Sequence, residues 1–141
     1  MLEKLLHPEV IAVVGASRSP GKVGYEILSN LIEGGFKGKI VPVNPSADEI
    51  LGLPVCKDLG KYDGKIDLSI IAVPTKLVKQ TAQDSIDCGA RAIVIITAGF
   101  KETGKEGAKL EQEIADLCKK HNARLLGPNC LGLINTYNSM N

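Results

Sequence analysis

Val10-Ile-Ala-Val-Val14, Gly15-Ala-Ser-Arg-Ser-Pro-Gly21, Lys22-Val-Gly24: an unbroken, mostly β-branched run passes through glycine into a turn-rich segment and then into a helix-forming pattern. A continuous apolar run of this kind suits a strand covered on both faces. After the turn, Val23, Ile27, Leu28, Leu31 and Ile32 fall on one side of a helix, and Gly34-Gly35 stops it. A strand that runs through glycine into a helix N-terminus presents unpaired backbone N–H groups and the positive end of the helix dipole, which together form an anion site. Gly15 allows the tight turn and Gly24 allows close contact or packing. Ser17 and Ser19 add hydroxyl donors, and Arg18 and Lys22 add positive charge. A plain βα turn with packing glycines is the alternative; the clustered Ser, Arg and Lys favour the anion.

Outward from this stretch the pattern repeats. Strands are expected at Lys39–Val43, Leu53–Cys56, Ile66–Val73, Ala92–Thr97 and Arg124–Leu126. Pro42 suits an edge strand or a bulge. Helices are expected from Lys76 to Cys88, with Gly89 behind it, and from Glu106 to His121. Short apolar runs alternating with amphipathic stretches are the signature of βαβ units. The expectation is an α/β, Rossmann-like, doubly wound and mainly parallel sheet of about six strands with helices on both faces.

The chain has 141 residues, room for one domain over 1–141 with a core of its own. Lys and Arg number 17 and Asp and Glu 16, a balance that gives no reason to expect a nucleic-acid or membrane surface. Trp is absent and Phe and Tyr are few, which leaves little for a base-stacking platform. Cys56, Cys88, Cys118 and Cys130 form no Cys-x-x-Cys unit, and His7 and His121 stand alone, so no spacing supports a metal site. No apolar run approaches the ~18 residues of a membrane span, and the N-terminus lacks a signal-peptide pattern; the expected setting is cytoplasmic, with reduced thiols.

In a doubly wound sheet, ligands bind outside the carboxyl ends of the strands. Five segments lie there: Gly15–Gly24, Val43–Ser46, Val73–Thr75, Thr97–Phe100 and Gly127–Gly132. A dinucleotide site usually has Gly-x-Gly-x-x-Gly and an acidic residue at the end of strand two. Here the turn is longer, and Val43-Asn44-Pro45-Ser46 holds no carboxylate. A phosphate-binding loop of the Walker type needs four residues before its Gly-Lys-Ser/Thr; five residues separate Gly15 from Gly21-Lys22, and Val23 follows.

Gly15–Gly24, Val43-Asn-Pro-Ser46, Ile50-Leu-Gly-Leu-Pro54, Ala72-Val-Pro74 and Gly127-Pro-Asn-Cys-Leu-Gly-Leu-Ile-Asn135, taken together and in order, resemble the N-terminal CoA-binding domain of NDP-forming acyl-CoA synthetases. These include the ADP-forming acetate–CoA ligases and, more distantly, succinyl-CoA synthetase α subunits. The resemblance spans essentially the whole chain. It implies coenzyme A as the ligand, with Gly15, Ala16, Ser17, Arg18, Lys22, Val23 and Gly24 holding the nucleotide and its phosphates. Asn44, Pro45, Val73, Pro74, Ile96, Thr97 and Ala98 would line the rest. Two positions depart from succinyl-CoA synthetases: Ser46-Ala47 stand where those place a lysine, and Ala98 stands where those carry an acidic residue.

The same resemblance implies that acyl-CoA, ADP and phosphate give carboxylic acid, CoA and ATP in the whole enzyme, through an acyl phosphate and a phosphohistidine. That histidine belongs to a further domain, and neither His7 nor His121 matches it. The chain is therefore expected to be the N-terminal domain of a longer enzyme, to carry no catalytic residue or metal itself, and to partner other domains or an ATP-grasp β subunit. Cys130 reads as structural packing or as shaping the phosphoryl site beside Asn129, and the other cysteines as small core residues. A stand-alone CoA-binding protein with a sensing or carrier role is the alternative, and an NAD-binding redox sensor is the third reading.

Overall fold

The computed structural model describes residues 2–141. A short helix α1 (Glu3–Leu6) leads into β1 (Val10–Val14), α2 (Val23–Glu33) and β2 (Lys39–Val43). The two-residue strands β3 (Glu49–Ile50) and β4 (Leu53–Pro54) follow. Then come β5 (Leu68–Ile71), α3 (Thr75–Asp87), β6 (Ala92–Ile95), α4 (Lys105–Lys120) and β7 (Arg124–Leu126). The main sheet has five parallel strands in the order β2-β1-β5-β6-β7. The first crossover runs one way from β1 and all later ones run the other way from β5, so winding reverses between these two neighbours. Right-handed crossovers then place α2 on one face of the sheet and α3 and α4 on the other.

Both faces are buried, which is why the strands read as unbroken apolar runs. Ile11, Val13, Leu68 and Val94 pack with Leu28 and Leu31 of α2 and with Met140. Ile71, Ile93 and Ile95 pack on the opposite face with Val78 and Ala82 of α3 and Ile114 and Cys118 of α4. Each Leu or Ile fully buried in this way contributes about 1.5–3 kcal/mol. Burial also pushes the Cys118 thiol up to about 11. Cys56 and Cys88 are half-buried at the margin of a third cluster and are not full core residues.

The Rossmann-like class is as expected, with five strands in the sheet where the sequence suggested six. The odd one is Leu53–Cys56. Leu51 and Gly52 both adopt left-handed backbone, at φ 49° and 78°, the conformation of a tight hairpin turn. The chain therefore folds back on itself, and β3 pairs antiparallel with β4. Only Cys56 reaches the main sheet, through a single bridge to Val43. Pro42 explains how β2 tolerates a proline: its carbonyl accepts from Cys56 N at 2.9 Å, so its missing N–H lies on the edge side and interrupts no bond to β1. The strands at β5 and β6 are shorter than their apolar runs because 72–74 and 96–97 leave the ladder as loops.

At the amino edge, Asp67 fastens the N-terminal segment. Its carboxylate accepts from Glu9 N at 2.8 Å and Val10 N at 3.2 Å, and Lys4 Nζ lies 3.0 Å away. Desolvation works to raise its pKa, but the Lys4 hydrogen bond and the two backbone donors outweigh it, and the carboxyl sits below its ordinary 3.8. A depressed folded-state pKa gives stability that is present above the unfolded pKa and is lost as pH falls through the folded value. Acid unfolding of the wild type should therefore steepen below about pH 4. Asp67→Asn should be less stable at pH 7 and show a shallower acid limb in urea titrations from pH 7 to pH 3.

Candidate functional site at the carboxyl edge of the sheet

The turn after β1 is held against the sheet by its own backbone. Gly15 N and Ala16 N both donate to Val43 O, at 3.1 and 3.2 Å. Gly15 takes φ +92°, and Ala16 is buried. Ser17 Oγ accepts from Ser19 N at 3.1 Å, and Glu26 reaches back from α2 to accept from Gly21 N at 2.8 Å. The N–H groups of Ser17, Arg18, Val23 and Gly24 have no acceptor among the described residues. Those of Val23 and Gly24 stand at the N-terminus of α2 and those of Ser17 and Arg18 in the loop before it, which also carries the exposed side chains of Arg18 and Lys22. The loop thus offers unfilled donors with positive charge at their rim, as an anion requires.

Gly24 also makes a close backbone contact. A Cβ added there would overlap Gly15 O, and one added at Gly15 would overlap Ala72 O. The two glycines let the start of α2 press onto the exit of β1, and that exit press onto the exit of β5. The constraint is backbone on backbone, so neither neighbour can yield.

Asn44 ties the second loop to the first. Its Nδ2 donates to Ala16 O at 2.8 Å, and its Oδ1 accepts from Ser46 N at 2.8 Å and Ala47 N at 3.0 Å. Pro45 is exposed on this turn. The loops after β5 and β6 latch each other. Thr97 Oγ1 donates to Val73 O at 2.6 Å, and Thr75 Oγ1, just past Pro74, donates to Ala98 O at 2.8 Å. The last loop joins through Asn129 N to Thr97 O at 3.0 Å and the Cys130 thiol to Ile95 O at 3.4 Å. All fourteen residues singled out from the sequence lie along this edge, in the order Asn44 and Pro45, Gly15 to Gly24, Val73 and Pro74, and Ile96 to Ala98.

Three residues of the edge carry no signal in the sequence. Glu102 accepts from Gly99 N at 2.6 Å, and this bond with further backbone donors lowers its pKa. Asp48 and Lys57, on either side of the β3–β4 hairpin, form an ion pair at 2.7 Å. An apolar cavity of about 210 Å³ opens on the α2 side of the sheet, between Ile27, Leu68, Val94 and the segment 131–134. It shares Ile96 with the edge but carries no Lys, Arg, Asp or Glu, whereas the donor-lined loop is open surface. Both histidines sit at the other end of the strands: His7 caps α1 before β1, and His121 caps α4 before β7. Among the described residues no three His, Cys, Asp or Glu side chains converge as metal ligands. No helix among the described residues is long and apolar enough to cross a membrane.

The model of a CoA-binding domain matches residues 9–136. This chain belongs to the CoA-binding domain family. The domain is 44% identical over its whole length to the α subunit of the ADP-forming acetate–CoA ligase II of Pyrococcus furiosus, of which it covers 31%. It is 46% identical, over 99% of its length, to the ADP-forming acetate–CoA ligase I of Archaeoglobus fulgidus, of which it covers 20%. Among solved structures, the dinucleotide-forming acetyl-coenzyme A synthetase 1 of Ca. Korarchaeum cryptofilum, in complex with phosphate and ADP, superposes with a TM-score of 0.94 at 40% identity. That match covers all of this domain and 30% of that chain. The domain thus spans between a fifth and a third of the length of these three relatives. The resemblance seen in its five motifs is that of its family.

The glycine contact makes a direct test. Gly24→Ala should lose about 3 kcal/mol or more, since overpacking against fixed backbone is at the costly end of such changes. Gly21→Ala should lose only about 1 kcal/mol, because φ is +85° there but nothing lies within reach of a Cβ. Urea unfolding of the two variants measures this; equal losses would show that the Gly15–Gly24 contact is not the constraint.

Proposed function

We propose that this domain binds coenzyme A along the carboxyl edge of its sheet, as one part of an ADP-forming acyl-CoA synthetase in the cytoplasm. The observation that carries the reading is the set of unfilled N–H groups of Ser17, Arg18, Val23 and Gly24 at the start of α2. In this reading they meet the phosphates of the nucleotide, with Gly15 and Ala16 shaping the turn and Arg18 and Lys22 adding charge. Asn44 and Pro45 close one side. Val73 and Pro74 form the floor with Ile96, Thr97 and Ala98, whose backbone groups face the rest of the ligand. Val23 is exposed at the head of α2 and gives the ligand an apolar surface.

NAD is disfavoured by the same geometry. A carboxylate at the end of β2 is what grips the ribose hydroxyls of that cofactor. Asn44 occupies the place, and its amide is already spent on Ala16 O and on the Ser46–Ala47 turn. The complete enzyme would convert acyl-CoA, ADP and phosphate into acid, CoA and ATP, using a phosphohistidine from another domain and an ATP-grasp partner. His7 and His121 support that division of labour, because both lie at the far end of the strands, roughly 15 Å from the edge. The part left to this chain is to bind and orient the CoA. The first match, an α subunit of an ADP-forming ligase, supports the same assignment.

Calorimetric titration of the 141-residue chain should give a dissociation constant for CoA at least tenfold below that for NAD, a gap of about 1.4 kcal/mol. Equal or tighter NAD binding would overturn the reading. The same chain, incubated with ATP, CoA and acetate or larger acids, should form no acyl-CoA; turnover above background would place the chemistry on residues described here as structural.

A further inference from the structure

Beside the Gly15–Gly24 loop, the β3–β4 hairpin holds one carboxylate against one cation. Lys57 Nζ lies 2.7 Å from Asp48 Oδ1. The Lys57 hydrogen bond and charge, and Arg18 at longer range, hold the Asp48 carboxyl below its usual range. The backbone places this cluster firmly at the site. Cys56 N donates to Pro42 O at 2.9 Å and Cys56 O accepts from Asn44 N at 3.1 Å, so Lys57 stands one residue past the last contact with β2. Asp48 follows directly on the turn that Asn44 holds, and its own carbonyl accepts from Val55 N at 3.0 Å.

The hairpin does not depend on the ion pair, since its backbone bonds already fix both residues. The side chains are 89% and 57% exposed for Asp48 and Lys57, and pairs of that kind contribute little to stability. What the arrangement does provide is an ammonium on a flexible stem held at the rim of the loop that carries the exposed Arg18 guanidinium. A coenzyme A molecule carries two kinds of phosphate. The diphosphate suits fixed, neutral N–H donors such as those at the head of α2. The phosphomonoester on the ribose carries close to two negative charges and suits mobile ammonium and guanidinium groups.

We propose that Lys57 and Arg18 receive the ribose phosphomonoester of the ligand, and that Asp48 is the internal anion they release when it arrives. This rests on the coenzyme A reading above. With nearly twice the charge of a carboxylate and three acceptor oxygens, the phosphomonoester outcompetes Asp48 for both cations. Asp48 competes with that phosphate and so moderates the affinity for coenzyme A, while a ligand without the phosphomonoester leaves the ion pair as it is. The cluster therefore selects for the phosphorylated ribose without adding affinity for the remainder of the molecule.

Titrating CoA and dephospho-CoA into the wild type, Lys57→Ala and Asp48→Asn tests this. Wild type should prefer CoA by tenfold or more. Lys57→Ala should cut that preference about tenfold while leaving dephospho-CoA affinity within twofold. Asp48→Asn should tighten CoA severalfold. Lys79→Ala breaks a similar ion pair, Lys79–Glu113 at 2.8 Å, between α3 and α4 and should change neither ligand. Thermal unfolding should be the same for all four proteins within a few degrees. If Lys57→Ala weakens both ligands equally, or neither, the assignment of Lys57 fails while the coenzyme A reading stands. If the wild type binds neither ligand, it is the coenzyme A reading that fails, and this one with it.

Discussion

The contact between Gly24 and the carbonyl of Gly15 is the constraint on which the rest of the carboxyl edge depends. Helix α2 can begin only where its first turn meets the exit of β1 without a side chain between them. Gly15 is itself pressed on Ala72, so the same contact sets how closely the exits of β1 and β5 approach. These are the neighbouring strands at which the winding reverses. A crevice outside that point is where an open α/β sheet accepts a ligand. The two glycines therefore decide where the helix dipole and the free N–H groups point. A side chain at either place would shift α2 outward and carry the donors with it.

The loops around this contact are fixed by a chain of polar bonds whose donors are mostly short side chains. Asn44 joins the first and second loops, Thr97 and Thr75 join the third and fourth, and Asn129 and Cys130 join the fifth. Each bond uses a carbonyl that a strand end leaves without a ladder partner. Satisfying those groups is obligatory for buried backbone. Doing so between loops makes two braced groups that meet where Gly15 packs on Ala72, so little ordering remains to be done when a ligand arrives. The threonines serve here through their hydroxyls, reaching neighbouring loops in place of a solvent contact.

Much of this could be seen in the residues themselves. Doubly buried parallel strands leave an apolar run with no alternation, and Val10–Val14 and Ala92–Ile95 have that form. The glycine-punctuated loops were visible for the same reason: positive φ at Gly15 and Gly21 has a residue-level cost that only glycine avoids. Leu53–Cys56 was misplaced because β propensity does not say which strand a segment will pair with, and the Leu51-Gly52 turn settled it locally. Helix α1 is a single turn and leaves no periodicity to read. Gly24 was legible as a close-contact residue, but that its Cα side meets the Gly15 carbonyl depends on the tertiary approach of β1. Asp48 and Lys57 are nine positions apart in a polar stretch, and only the hairpin brings them together.

Ligand choice and loop geometry are coupled through Asn44. Its amide group must donate to Ala16 O and accept two N–H bonds from the following turn. A carboxylate could make the second pair of bonds but not the first, and would set a negative charge against the Ala16 carbonyl. That repulsion would act on the turn that carries the anion donors. An acidic residue at this position would therefore do more than add a partner for ribose hydroxyls; it would loosen the phosphate cradle. A dinucleotide site resolves the conflict with a shorter glycine turn that needs no such brace. The longer turn here, running from Gly15 to Gly24, needs the neutral amide, and with that amide the site gives up the group by which NAD is gripped. That a neutral amide and not a carboxylate stands here is in this sense a consequence of how the first loop is held.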